Sequence, residues 1–194
     1  MKACILFIAT SLSSAVIASD VSVKLLHPHE WSEDEQKQIM EATAIAFSRM
    51  LRADVANCAY RNSFRENKDQ LRKLWGSQIP VLNKTKNVEI EVRRTADKVL
   101  GKAPVGVAKI DRRQYQVYNL KIYLNQEMLH QHLRADKSLD PNGIWTNTIA
   151  HEVAHNFGHM HGSGGTWDRD YPGFFPTELG YCVMSDGKTG SKGK

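Results

Sequence analysis

The sequence predicts a single domain of mixed helix and strand, α+β or α/β, and three observations carry that expectation. The chain has 194 residues, enough for one sizeable core and too few for two. Segments that alternate apolar and polar residues are interleaved with segments of helical period. No internal repeat and no linker-like stretch divides them. Hydrophobic residues make up 41% and charged residues 24%, which excludes a disordered or fibrous chain.

The first residues stand apart from the fold. Lys2 is followed by an apolar run from Ala3 to Leu12, too short to cross a bilayer. The stretch after it ends in Val16-Ile17-Ala18-Ser19, where cleavage after Ala18 satisfies the small-x-small rule. Residues 1–18 therefore read as a secretory signal peptide, and 19–194 as a single domain. The expected location is secreted or periplasmic.

Val21 to Leu26 alternates and reads as a first strand. Ser32, with Glu35 three residues on, forms a capping-box signature. The helix it opens carries Ile39, Ala42, Phe47 and Met50 at helical spacing and is expected to run to about Ala53 or beyond. Residues 62–75 are charged and read as a surface helix. Strands are expected at Val88–Arg93, Ala103–Ile110 and Gln116–Leu124, and a short helix at Glu127–Leu133. Asp140-Pro141-Asn142-Gly143 is a turn that can cap a helix starting at Ile144 or Trp145 and ending at Phe157. Gly162 to Tyr181 is rich in Gly, Pro and aromatics and reads as packed loop. Residues 187–194 read as a flexible tail.

The helix ending at Phe157 carries the chemistry. Residues 151–161 are HEVAHNFGHMH. His151 and His155, four apart, lie one turn apart on one helix face, so both imidazoles can reach one ion. Glu152 sits at the flank of that face, placed to accept a proton rather than to ligate. Gly158 can take the left-handed conformation that ends a helix and turns the chain back. His161 then approaches the same ion from another direction. Three histidines leave the fourth tetrahedral position to water, the pattern of a catalytic Zn2+. Bound zinc would supply an acidic water and polarise a carbonyl. Glu152 would take the proton and pass it to a leaving amine, so an amide is the natural target.

With these residues the chain resembles the metzincin clan of zinc endopeptidases, whose pattern is HExxHxxGxxH followed by a methionine turn. His155-Asn156-Phe157-Gly158 and Cys182-Val183-Met184 are most similar to the adamalysin (reprolysin) branch. The resemblance implies His151, His155 and His161 as ligands of one Zn2+, Glu152 as base, and Met184 in the turn beneath the metal. It implies an α+β fold: an N-terminal subdomain of mixed sheet and helices, a small irregular C-terminal subdomain, and zinc in the cleft between. An extended protein or peptide substrate would pair with an edge strand, expected within Pro104–Ile110. Gly162 stands after the third histidine where adamalysins usually have Asp, so the branch stays open. Asp186 occupies the position two after Met184, so no tyrosine ligand is expected.

Other groups complete the reading. Cys58 and Cys182 remain after the leader, and export to an oxidising compartment lets them pair; two buried thiols are the alternative. His27 with His29, and His130 with His132, are two apart and could bind metal from a strand, although such pairs are commonly plain surface residues. His159 lies inside the motif and could approach the site, although it is expected to face solvent. Asp168, Asp170 and Glu178 could bind calcium, without a spaced loop motif to support it. Lys+Arg number 26 against 21 Asp+Glu, dispersed rather than clustered, which suits solubility and gives no nucleic-acid footprint. No segment beyond the leader is long and apolar enough for stable membrane insertion. Oligomeric state is not legible. Two rival functions share the site: a zinc amidase acting on cell-wall peptides, and a non-catalytic zinc-binding interaction domain.

Overall fold

Short alternating segments make a small sheet, and longer helical segments make most of the core. The computed structural model describes residues 22–83, 87–92, 100–103, 109–111, 116–118, 120–137, 140–161 and 171–191. Strand β1 (Ser22–Leu26) pairs in parallel with β2 (Asn87–Val92), with Leu25 opposite Ile90. After β3 (Gly101–Lys102), β4 (Lys109–Asp111) and β5 (Gln116–Tyr118) comes β6 (Lys121–Leu124). The order across the sheet is β1-β2-β6-β3, with β2 and β6 parallel and β3 antiparallel to β6. β4 and β5 form a separate antiparallel pair. The fold is α+β and mostly helical, with a sheet of mixed direction.

Helix α1 (Glu33–Met50) begins as the sequence predicts. Ser32 and Glu35 close a full capping box. Glu35 reaches further, accepting from Gln126 Nε2 and lying 2.8 Å from His130 Nε2. Those partners lie on α4 (Gln126–Ala135), so one carboxylate caps α1 and ties a second helix to it. Burial works to raise the Glu35 pKa, but the bonds from Gln126, Ser32 and His130 outweigh it and hold the carboxyl at about 2.

The chain breaks earlier than expected. α1 stops at Met50, and Arg52 is extended before α2 (Ala53–Asn62) starts. The break is set by tertiary contacts. Arg49 donates to the carbonyls of Val183 and Met184, and Arg52 binds Asp54 and Asp186. The charged segment that follows is α3 (Lys68–Asn83), longer than 62–75 and not confined to the surface. Leu71, Trp75, Val81 and Leu82 are buried on its inner face. The expected strand Gln116–Leu124 divides into β5 and β6, whereas in Ala103–Ile110 only Ala103 and the first two residues of β4 lie among the described residues.

Asp140 caps α5 (Pro141–Asn156) through bonds from Asn142 N and Gly143 N, so the helix starts at Pro141, before Ile144. From Trp145 to Asn156 every residue is buried.

The C-terminal region is less irregular than its composition suggests. Phe175–Met184 forms helix α6, with Pro176 in its first turn, where the missing N–H is no loss. Its N-cap, Phe174, has no side-chain acceptor. Glu66 supplies one from the α2–α3 connection, accepting from Phe175 N, and Arg65 N donates to Gly173 O. α6 packs tightly on α5: a Cβ on Gly180 would lie 2.9 Å from the Asn147 carbonyl oxygen. Cys58 and Cys182 form a disulfide that joins α2 to α6 across 124 residues. In the chain-entropy model such a loop contributes about 5 kcal/mol.

Met184 is the last residue of α6, and the turn follows it rather than containing it. Gly187 N bonds Cys182 O and Asp186 N bonds Val183 O, a Schellman end with Asp186 in the left-handed region at φ 58°. Beyond it, Ser191 N and Oγ both bond the buried Glu178 carboxylate, which also accepts from Gly173 N. Glu178 thus fastens loop and tail rather than joining a calcium loop, and the stretch expected as a flexible tail is bonded as far as Ser191. Asp168, Asp170 and the segment 1–18 expected as a signal peptide lie outside the described residues. No helix among the described residues is long and apolar enough to cross a membrane.

Candidate metal centre

Helix α5 delivers His151 and His155 one turn apart, and its end delivers the third ring. Gly158 has φ 92°. Its N–H bonds His155 O at 2.9 Å, and His159 N bonds Ala154 O at 3.1 Å. These are the two bonds of a Schellman motif, with glycine at the position where a Cβ is disfavoured. The chain turns back there and His161 meets the other two.

The three Nε2 atoms converge. His155 Nε2 lies 3.1 Å from those of His151 and His161, and His151 Nε2 lies 3.2 Å from His161 Nε2. Tetrahedral zinc with Zn–N of ~2.0–2.1 Å separates its nitrogens by ~3.3 Å. The donor set therefore fits an ion of that size at the common point, with His151 and His155 buried and His161 partly exposed.

The rings are held in the protonation state such an ion needs. Burial, then the neighbouring His155 and His161, hold His151 well below its ordinary pKa. Burial lowers His155 to about 4, against the opposing bond to His159. His155 Nδ1 lies 2.7 Å from the His159 carbonyl, which can only accept, so the proton sits on Nδ1 and the Nε2 lone pair is free for a metal ion.

His159 is itself buried, at 3% exposure, rather than facing solvent. Its Nε2 donates to Gln78 Oε1 at 2.9 Å, and Gln78 Nε2 donates to Phe157 O at 3.0 Å. Trp75 and Phe175 pack against the ring, with centroids at 5.6 and 4.5 Å. Burial, with His155 adding to it, lowers His159 to about 4, so it is neutral and its one N–H serves Gln78. A chain of contacts thus runs from α3 through Gln78 and His159 to the back of His155. Tyr171 stacks on His161, with centroids 4.1 Å apart.

Glu152 is buried beside the histidines, and burial pushes its pKa up to about 8 against the opposing charge of Lys102. A divalent cation at the histidines would pull it back down. The backbone of β3 lies directly over this carboxylate: a Cβ on Gly101 would sit 3.0 Å from Glu152 Oε1 and Cγ. Only glycine lets the strand approach so closely. Asn156 fixes the other flank, exchanging two bonds with the backbone of Lys121 at the start of β6.

His151, Glu152, His155 and His161 are therefore together, while Met184 ends α6, where its carbonyl accepts from Arg49. Gln78, His159 and Gly101 were not expected there. The capped, glycine-terminated helix could have hinted that His159 turns inward, but nothing in the sequence places Gln78 or Gly101 beside it. The chain matches no protein-family profile, no curated protein and no solved structure.

Proposed function

We propose that this chain is an exported zinc-dependent endopeptidase of metzincin type. One observation carries the reading: three converged imidazole nitrogens share a site with a buried, non-ligating carboxylate under an edge strand. A purely structural site has no need of that carboxylate. Zinc held by His151, His155 and His161 would supply an acidic water and an electrophile for a carbonyl oxygen. Glu152 would serve as the proton acceptor beside it and as the donor to a departing amine. The dry surroundings of Glu152 raise its affinity for a proton, which favours the acceptance step. β3 lies beside Glu152 and ends the strand order among the described residues, so an extended peptide laid along this side of the sheet would bring its scissile bond to the centre. Of the segment expected from sequence as that edge, residues 104–108 lie outside the described residues. The disulfide suits an oxidising compartment.

The test is zinc content together with cleavage of a diverse peptide library and of cell-wall muropeptides, for wild type and Glu152→Ala. One zinc per chain, peptide cleavage by wild type, and its loss in Glu152→Ala are expected. Zinc without cleavage would favour an interaction domain. Cleavage of muropeptides alone would favour the amidase. Cleavage that survives Glu152→Ala would sink the mechanism.

A further inference from the structure

The turn after β1 brings a second set of donors together. His27, His29 and Glu30 each present one ligand atom within 4.8 Å of the others, and all three side chains are exposed. They do not sit on a strand, where residues two apart share a face. His27 follows β1 in the left-handed region at φ 56°, and Pro28–Glu30 forms a single 3-10 turn. That change of direction, rather than strand alternation, sets the two rings edge to face at 6.0 Å.

The backbone beneath the donors is fixed. Glu30 N bonds His27 O and Trp31 N bonds Pro28 O. Gln36 Nε2 donates to the carbonyls of Pro28 and Trp31 from α1. Trp31 is buried and packs against Trp145, anchoring the end of the turn in the core. The three side chains have no hydrogen bond or ion pair among the described residues. Beyond the edge-to-face ring contact, nothing among the described residues need be broken for them to turn toward an ion. A first-row metal at ~2.0–2.1 Å would draw the donors to ~3.3 Å apart, a shift that exposed rotamers permit.

We propose that His27, His29 and Glu30 form a second, surface site for a divalent transition-metal cation. Two imidazoles and one carboxylate select zinc, copper or nickel over magnesium and calcium. Water completes the coordination, so the site is weaker than the buried one and exchanges readily. β1 and β3 are opposite edges of the sheet, so this site lies at the far edge from the strand beside Glu152. It does not depend on the buried centre being catalytic.

The test is calorimetric titration of the metal-stripped mature chain with Zn2+ and with Cu2+, using Mg2+ as control. Wild type should show a tight class and a weaker class, and Mg2+ neither. The double variant His27→Asn, His29→Gln should lose the weaker class and keep the tight one. Asparagine tolerates the left-handed backbone, so the turn survives the change. Glu30→Gln should weaken the same class alone, and His155→Ala should remove only the tight class. A wild type without the weaker class, or a weaker class that persists in the double variant, overturns the proposal. Loss of the tight class with the weaker one intact would instead count against the buried centre.

Discussion

His155 and His27 are the same side chain under opposite conditions. His155 is buried in a helix, bonded through Nδ1 to a carbonyl that His159, Gln78, Trp75 and Phe175 hold in place. His27 is exposed, and only the backbone beneath it is fixed. In the first case the protein has already met the cost of orienting and desolvating the ring. In the second the metal must do so, and affinity falls accordingly. The carboxylates differ in the same way. Glu152 is dry and lies under a strand, whereas Glu30 is in water. A dry carboxylate can exchange a proton near neutral pH.

The largest expected effect isolates that difference. Glu152→Ala should lower peptide cleavage by about 10³-fold or more while zinc content stays at one tight equivalent, as read by rate assays beside metal analysis. Loss of the tight zinc would instead make Glu152 a ligand and erase the contrast with Glu30.

Next comes the scaffold. Cys58→Ser with Cys182→Ser should cost about 2–5 kcal/mol in urea unfolding, because α6 is then no longer tied to α2. The tight metal class should weaken with it, since α6 carries Phe175 against His159. The surface site should not respond. An equal loss at both sites would mean that they are not independent.

Gln78→Leu removes the support behind His155 without touching a ligand. Zinc affinity in a chelator competition should fall about 10–100-fold, with the weaker class unchanged. An unchanged tight Kd would reduce Gln78 to a packing residue.

The smallest effect concerns α1 and α4, which flank the surface turn. The folded-state pKa of Glu35, about 2, lies below its ordinary 4.5. Its stabilisation is complete above pH 4.5 and is lost as pH falls through about 2. Glu35→Gln should cost roughly 1–2 kcal/mol at pH 7 after allowance for solvent screening, and little at pH 2. A cost independent of pH would assign the effect to the cap geometry alone.

What could be read from sequence was what local chemistry decides. Ser32 with Glu35, Asp140 before Pro141, and Gly158 between two histidine groups each act within a few residues, and the start of α1, the capping of α5 and the grouping of three histidines followed from them, although α5 begins at Pro141 rather than at the expected Ile144. What escaped is decided at a distance. α6 hides because almost all of it is buried, which leaves no polar stripe to mark a period, and its N-terminal acceptor comes from Glu66. Pro176 and Gly180 resemble breakers, yet one fits the first turn and the other a close crossing. The α1–α2 break follows from Arg49 and Arg52 reaching the far end of the chain. Gln78, His159 and Gly101 reach the centre only through packing of α3, the α5 end and β3.

Zinc K-edge absorption of the full mature chain, loaded with one equivalent of zinc, reads the central claim directly. Three imidazole nitrogens and one light oxygen donor at ~2.0–2.1 Å are predicted, unchanged in Glu152→Gln and lost in His161→Ala. A spectrum with two imidazoles or fewer, or one altered by Glu152→Gln, would contradict the account.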